Sequence, residues 1–349
     1  MRVFVIALFL FVSLFPQYLF SQVRYRGMAL GNGISTQDIQ ELEGYLPGSN
    51  VVRYPLHNYG ADDATEAEYD AWLVQALAEL DALLPTFQQY GMKVFLVLAT
   101  PPGGFQSLEE PALHRIFGAS WAQQSLIKTW QTIATHYAGN TAIGAFDLVN
   151  EPAQRSVAAG LKAWPELASD VIAAIRAIDA TRTIILEPRY GNQVYFNTLK
   201  TFFSLSNLIY SFHSYYPSTV IKQGLEGRPT GKKYPKGKLN KKKLTRKNKK
   251  AWSFWRQLKK AKKKQGNKAD AQMYVGEFSC VRWAPGNTTK RYLGDMIKLF
   301  EKNKMHWTMH AWGDDNVWDP RFSSDMNDDQ PSPTPTDRAT LLKKFFAKN

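Results

Sequence analysis

Short apolar runs rich in β-branched and aromatic residues alternate along this chain with longer stretches whose apolar positions recur every three or four residues. The runs number eight: Arg26 to Leu30, Asn50 to Tyr54, Lys93 to Leu98, Ile143 to Val149, Thr183 to Leu186, Leu208 to Phe212, Gln272 to Gly276 and His306 to Ala311. After the second run Tyr69, Trp72, Leu73, Ala76, Leu77 and Leu80 define one face of a helix. Trp130, Ile133 and Tyr137 do so after the third, and Leu167, Val171, Ile175 and Ile178 after the fourth. In the first repeat the helix is the short stretch Thr36 to Tyr45. Strand and helix in alternation predict parallel βα units, and eight of them predict a closed (β/α)₈ barrel. An open dinucleotide-binding sheet is not expected, because the glycines of Gly27 to Gly33 lack the GxGxxG spacing. With no tandem repeat and no Ser/Gly linker, residues 22–349 read as one domain.

The first 21 residues read differently. Arg2 precedes an apolar run from Val3 to Phe15, Pro16 and Gln17 interrupt it, and the small Ser21 follows, the layout of a secretory signal peptide. A secreted or periplasmic protein is expected, with no stable membrane insertion once the leader is cleaved; a retained anchor is the alternative. The chain is 44% hydrophobic and 13% aromatic, which excludes a mainly disordered protein. Its single cysteine, Cys280, cannot form an internal disulfide and reads as a small buried residue.

Charge changes the picture in one place. The chain carries +14, yet residues 222–268 hold 20 Lys and Arg against one acid, Glu226, a net +19 that leaves −5 for everything else. This basic insertion follows the sixth strand, so it is expected to emerge on the face of the barrel where the strands end. Arg228 to Lys250 reads as a long or disordered loop, and Ala251 to Lys264, with Trp252, Trp255 and Leu258 in line, as the sixth barrel helix with a solvated lysine face. A membrane-binding helix is the alternative for that second part. Lys232 to Lys250 is the candidate contact for a polyanion; without interleaved aromatics it does not read as a specific nucleic-acid site.

In a barrel of this kind, functional groups sit where strands end. Arg53, Asn150, Glu151, Glu187, His213, Tyr215, Glu277 and Trp312 all stand there. Glycosidic hydrolysis needs one protonated and one ionised carboxyl group, and Glu151 and Glu277 lie after the fourth and seventh strands, facing each other across the mouth. A separation of about 5 Å means direct attack and retention, and about 6.5 Å or more leaves room for water and inversion. Arg53 is suited to keep a carboxylate ionised, Tyr215 to hydrogen-bond the nucleophile and Asn150 to bind a hydroxyl. Glu187 competes for a catalytic role, its alternative being an ion pair with Arg189 or another loop cation. Trp312 and Trp318 offer indole faces to a pyranose ring. His306 and His310, four apart in a strand-like run, are not spaced to share a metal, and no metal or cofactor is expected.

The segments VVRYPL, DLVNEP, SFHSYYP, VGEFS and HAWG, in this order from about Arg26 to Trp312, resemble the strand ends of family 5 glycoside hydrolases, the cellulase-like group of retaining (β/α)₈ enzymes. The resemblance implies Glu151 as acid/base and Glu277 as nucleophile. Arg53, Asn150, His213 and Tyr215 become their support, and Trp312 a sugar platform. It also implies a polysaccharide substrate, β-1,4-glucan first and mannan next. The chain departs from the pattern at Ala99, where members carry a histidine before a Thr-Pro-Pro-Gly-Gly stretch, here Thr100 to Gly104. His57 is the candidate substitute, a plain loop histidine being the other reading. A non-catalytic carbohydrate-binding or adhesion protein on the same barrel is the rival from another class.

Overall fold

The computed structural model describes residues 23–349, so the leader, with Arg2, Pro16, Gln17 and Ser21, lies outside the described residues. Eight parallel strands close into a barrel in the order β1-β10-β9-β8-β7-β6-β3-β2. They are β1 (Arg26–Leu30), β2 (Val51–Leu56), β3 (Lys93–Leu98), β6 (Ile143–Asp147), β7 (Ile184–Leu186), β8 (Leu208–His213), β9 (Gln272–Glu277) and β10 (His306–Trp312). The two remaining strands, β4 (Phe105–Ser107) and β5 (Leu113–His114), form a hairpin over the mouth after β3. All eight expected runs are barrel strands.

Helices α1 (Thr36–Tyr45) and α2 (Glu66–Gln89) each start at a capping box, Ser35 with Asp38 and Thr65 with Glu68, which satisfies amide groups the first turn leaves free. The expected apolar faces are buried in α2, α3 (Ser120–His136) and α4 (Trp164–Ile178), although Trp72 is only partly covered and Ile178, at the end of α4, is exposed. The fifth repeat has no α-helix. A 3₁₀ run, Gln193–Ser204, takes its place and stacks Phe196 on Phe254, ring centroids 4.4 Å apart.

The basic insertion is more ordered than its composition predicts. After α5 (Ser218–Ile221), the stretch read as a loop contains α6 (Lys241–Lys247), with Asn240 as N-cap, and the barrel helix α7 (Lys249–Lys264) follows. Few apolar residues suffice because they are fully used: Tyr234 and Leu244 are buried, and the Tyr234 hydroxyl donates to Asp295 of α8 (Thr288–Lys302) at 2.8 Å. Along α7, Trp252, Phe254 and Leu258 pack inward, Trp255 is half-buried, and the buried Lys262 pairs with Asp270 at 2.6 Å. No described helix is long and apolar enough to cross a membrane. The C-terminal α9 (Asp337–Phe346) stacks Phe346 on Trp307 of β10.

Inside the barrel, Val51, Phe95, Ala145, Ile185, Ile209 and Tyr274 form an apolar plug, one residue from each of six strands. Side chains alternate with period two, so two residues further along the same strands the same face presents Arg53, Asp147, Glu187 and Ser211. The plug therefore ends in a polar layer, which is the floor of the site.

Candidate active site

Arg53 organises that layer. Its Nη1 donates to Glu277 Oε1 at 2.6 Å, Nη2 to Asn150 Oδ1 at 2.9 Å and to Glu187 Oε1 at 3.1 Å, and Nε to Asp147 Oδ2 at 3.2 Å. Burial disfavours its charge, but Asp147, Glu277 and Glu187 outweigh that and hold it as a guanidinium. Three carboxylates around one cation would repel. Asp147 bears most of that conflict: burial, then Glu187, push its pKa well above the usual value, and its Oδ1 has no partner.

Glu187 is ion-paired, though with Arg53 of strand β2 and not with Arg189 or a loop cation. It is buried, accepts from Arg53 and from His213 Nε2 at 3.0 Å, and through Oε2 accepts the backbone N–H of Glu151 at 3.0 Å. Arg189 instead stacks on Tyr195, 4.3 Å from its centroid. The other His213 nitrogen, Nδ1, lies 2.6 Å from Glu151 Oε1 and 3.6 Å from Glu277 Oε2. Burial works against an imidazolium, yet Glu187, Glu277 and Glu151 together raise the His213 pKa well above 6.5. Close packing leaves no choice of neighbours here: a Cβ on Gly276 would come within 3.0 Å of His213 Nε2, and one on Gly191, where φ is +58°, within 3.1 Å of both Glu151 and His213.

Glu277 accepts from Arg53 and, through Oε2, from the Tyr215 hydroxyl at 2.9 Å. Burial alone would raise its pKa, but His213, His310 and Arg53 reverse the sign and hold the carboxyl well below the usual range, with Tyr215 adding to it. The Tyr215 pKa, raised by burial and then by Glu277, keeps that phenol a donor. Carboxyl oxygens of Glu151 and Glu277 and a ring nitrogen of His213 all lie within 4.8 Å of one another, the one group among the described residues close enough to share an ion. Both His213 nitrogens already face carboxylates, so no lone pair is free for a metal.

Two clefts meet at Glu151. The larger, about 530 Å³, touches both Glu151 and Glu277 and is lined by His57, Tyr59, Ala99 and His310. The smaller, about 380 Å³, touches Glu151 but not Glu277 and is walled by the Tyr190 to Val194 loop, Tyr215, Tyr216 and Lys247. His57 stands in the first cleft with its ring 4.2 Å from that of Tyr59, so a histidine does reach the site on the Ala99 side. His310, 3.3 Å from Asp314, occupies the rim above Glu277. Its signal was available: it shares a strand face with Thr308, which hydrogen-bonds Tyr274 of the plug.

Trp312 is a correction. It is fully buried, donates its indole N–H to Asp38 O of α1 at 3.1 Å and carries Arg321 over its ring at 4.2 Å, so it offers no face to a sugar. Strict alternation would keep it beside Thr308 and His310. The pairing with β1 skips Ala311, however, matching Ala29 with His310 and Leu30 with Trp312, and that one-residue bulge turns Trp312 out of the mouth. Trp318 is half-buried against Tyr215 and His310, ring centroids 6.4 and 6.2 Å away, and lines neither cleft. His306 lies at the opposite end of β10 from the mouth, bonded to Tyr25 N and Gln272, far from any shared ligand with His310. Cys280 is buried as expected, and burial pushes its thiol up to about 12.

The chain matches the family model for Cellulase (glycosyl hydrolase family 5) over residues 30–316. It is 30% identical over 100 residues to Endoglucanase 3 of Fibrobacter succinogenes, a match that spans 28% of this chain and only 15% of that protein. Among solved structures, cellulose synthase subunit Z of Clostridioides difficile covers 92% of this chain and 99% of its own at 18% identity, with a TM-score of 0.64. Thermotoga maritima Cel5A in complex with cellobiose covers 91% and 96% at 18% identity, TM-score 0.65. The same enzyme in complex with mannotriose covers 92% and 98%, also at 18% and 0.65. At such identities the structures attest the fold.

Proposed function

The chain belongs to glycosyl hydrolase family 5, and on that premise we propose that it cleaves a β-linked polysaccharide internally, by a retaining double displacement, with Glu277 as nucleophile and Glu151 as acid and base. The observation that carries the reading is the approach of the two carboxyl groups to within 4.8 Å, close to the spacing of about 5 Å that goes with direct attack. Glu277, kept ionised by its neighbours, attacks the anomeric carbon while Glu151 gives a proton to the departing oxygen. In the second step Glu151 takes a proton from water, and that water displaces Glu277 from the sugar. His213 fixes the Oε1 end of Glu151, which leaves the other oxygen for the proton in transit. Asn150, held by Arg53, is placed for a sugar hydroxyl.

Open clefts on both sides of Glu151 suit cleavage within a chain rather than at its end. A β-1,4-glucan is the first choice of substrate and a mannan the second, in keeping with the neighbours described with cellobiose and mannotriose. The platform role expected of Trp312 passes to Tyr59, which is 80% exposed at the rim of the larger cleft. Secretion rests on the leader of the sequence. The test is reducing-sugar release from soluble β-glucans and mannans by wild type, Glu151→Gln and Glu277→Gln. Release that both substitutions abolish is expected; binding without release from any polymer would move the reading to a carbohydrate-binding protein.

A further inference from the structure

The smaller cleft has an electrostatic character that hydrolysis of a neutral glycan does not require. Among its lining residues Glu151 is the sole carboxylate, and Lys247, from the C-terminal end of α6, is the cation without an acidic partner. Lys247 is exposed, but the backbone that carries it is anchored. Its neighbour Asn248 is buried, accepts from Gln193 Nε2 at 3.0 Å and from Ser214 Oγ at 3.3 Å, and donates to Leu244 O at 3.1 Å. Gln193 in turn accepts the backbone N–H of Ala251 at 3.0 Å. These bonds lock the α6–α7 junction onto the cleft wall. The Lys247 ammonium then lies 4.8 Å from the centroid of Tyr216, and Lys222 similarly stands 5.7 Å from that of Tyr215.

The position relative to the reacting groups gives this cation its meaning. The sugar that stays on the enzyme must sit over Glu277, hence in the larger cleft. The cleft that touches Glu151 alone receives the leaving group. Around it the field is uncompensated: among the described residues the ion pairs of the basic insertion are Arg228 with Glu226 and Lys262 with Asp270, and no cation from Lys232 to Lys250 meets a carboxylate. We propose that the smaller cleft is a leaving-group subsite for a sugar residue bearing an acidic group, carboxylate or sulfate, seated on Lys247. The preferred substrate is then a glycan carrying negative charge along its chain, and the rest of the insertion raises the local concentration of such a polymer. This rests on the hydrolase reading for the direction of the chain, but its binding readout does not depend on turnover.

The experiment compares carboxymethyl cellulose and cellulose sulfate with neutral hydroxyethyl cellulose. It measures kcat/KM and, in parallel, retention in native gels containing each polymer, for wild type, Lys247→Gln, Lys247→Arg and Lys250→Gln. Wild type is expected to prefer a charged polymer in both readouts. In Lys247→Gln the charged-to-neutral ratio falls roughly threefold to tenfold, Lys247→Arg restores most of it, and Lys250→Gln, which removes the same charge from the same segment outside the cleft, changes it far less. Preference for one charged polymer over the other names the acidic group. An equal loss in Lys250→Gln and Lys247→Gln, an unchanged ratio in Lys247→Gln, or a wild type with no charge preference overturns the subsite. Charge-dependent retention through Lys247 without hydrolysis of any polymer would overturn the proposed activity and leave the subsite standing.

Discussion

Glu187 holds Glu151 by its backbone: the Glu151 N–H donates to Glu187 Oε2 at 3.0 Å, at a residue whose φ of +44° a non-glycine side chain rarely adopts. Such strain persists only where neighbours over-determine it, and it costs on the order of 1–3 kcal/mol. The same carboxylate accepts from Arg53 and His213, so Glu187 positions the acid/base without touching substrate. Glu187→Gln is expected to lower kcat by about 10- to 100-fold with KM changed less than threefold, while Glu187→Ala, which takes one partner from each of two buried cations that keep others, also loses about 1–3 kcal/mol of stability. Steady-state kinetics and urea unfolding of the two variants check this. A rise in KM with kcat intact would show that Glu187 serves the cleft instead.

The low pKa of Glu277 has a kinetic signature. The acid limb of kcat/KM reports the essential base of the free enzyme, and burial here is outweighed by His213, His310 and Arg53. That limb should therefore fall below the ordinary glutamate value of about 4.3. In Tyr215→Phe the ionised form loses a donor, the pKa rises, and the limb moves toward neutral pH. Assays after brief exposure to each pH, with recovery at pH 6 as a control for unfolding, would decide it. A wild-type limb at or above that value contradicts the electrostatic account.

Trp312 should behave as a core residue. Trp312→Ala is expected to cost about 3–5 kcal/mol in denaturant unfolding, and Trp312→Phe to leave KM within twofold of wild type. Tyr59→Ala should do the reverse, raising KM severalfold without loss of stability. If Trp312→Phe raised KM instead, the indole would have to reach the sugar after all.

How far the sequence reaches is visible in these residues. Short apolar runs rich in β-branched and aromatic residues located every barrel strand, and the strand ends located Arg53, Asn150, Glu151, His213, Tyr215 and Glu277, all of which the fold brings together. The same rule failed at Trp312 because a bulge, which depends on pairing with β1, shifts parity by one residue. Composition failed for Lys241 to Lys247, where one buried leucine, Leu244, and an asparagine cap order a segment that is otherwise mostly basic. Glu187 was in view as an acid at a strand end, while Asp147 lay unremarked inside the fourth run; the role of each depends on which cation it meets across the barrel, and that information exists only in the closed sheet.

Two buried histidines set the acid stability. His114 Nδ1 accepts the N–H of Ala153 at 3.2 Å and His306 Nδ1 that of Tyr25 at 3.0 Å, so both rings are needed neutral. Burial depresses each pKa to about 3. A histidine with a lowered folded pKa contributes stability above its unfolded value of about 6.5 and loses it as pH falls, because the unfolded chain takes up the proton. Between pH 7 and pH 5 each ring should cost about 2 kcal/mol, before the depressed carboxylates of Glu187 and Glu277 add their own loss as pH falls through about 4.3. His213 and Asp147, with their pKa values raised, act in the opposite sense and offset part of that loss over this window. Urea unfolding at the two pH values checks the sum. His306→Gln should be less stable at pH 7 yet lose less between the two.

The stereochemistry of the first product tests the central claim most directly. Proton NMR during the opening minutes of hydrolysis, on whichever soluble β-glucan or mannan is cut fastest, distinguishes the anomers before mutarotation blurs them. Carboxyl groups within 4.8 Å predict that the new reducing end appears first as the β anomer, through a glycosyl ester on Glu277. Initial release of the α anomer would mean that water attacks directly, and would contradict the assignment of Glu277 as nucleophile.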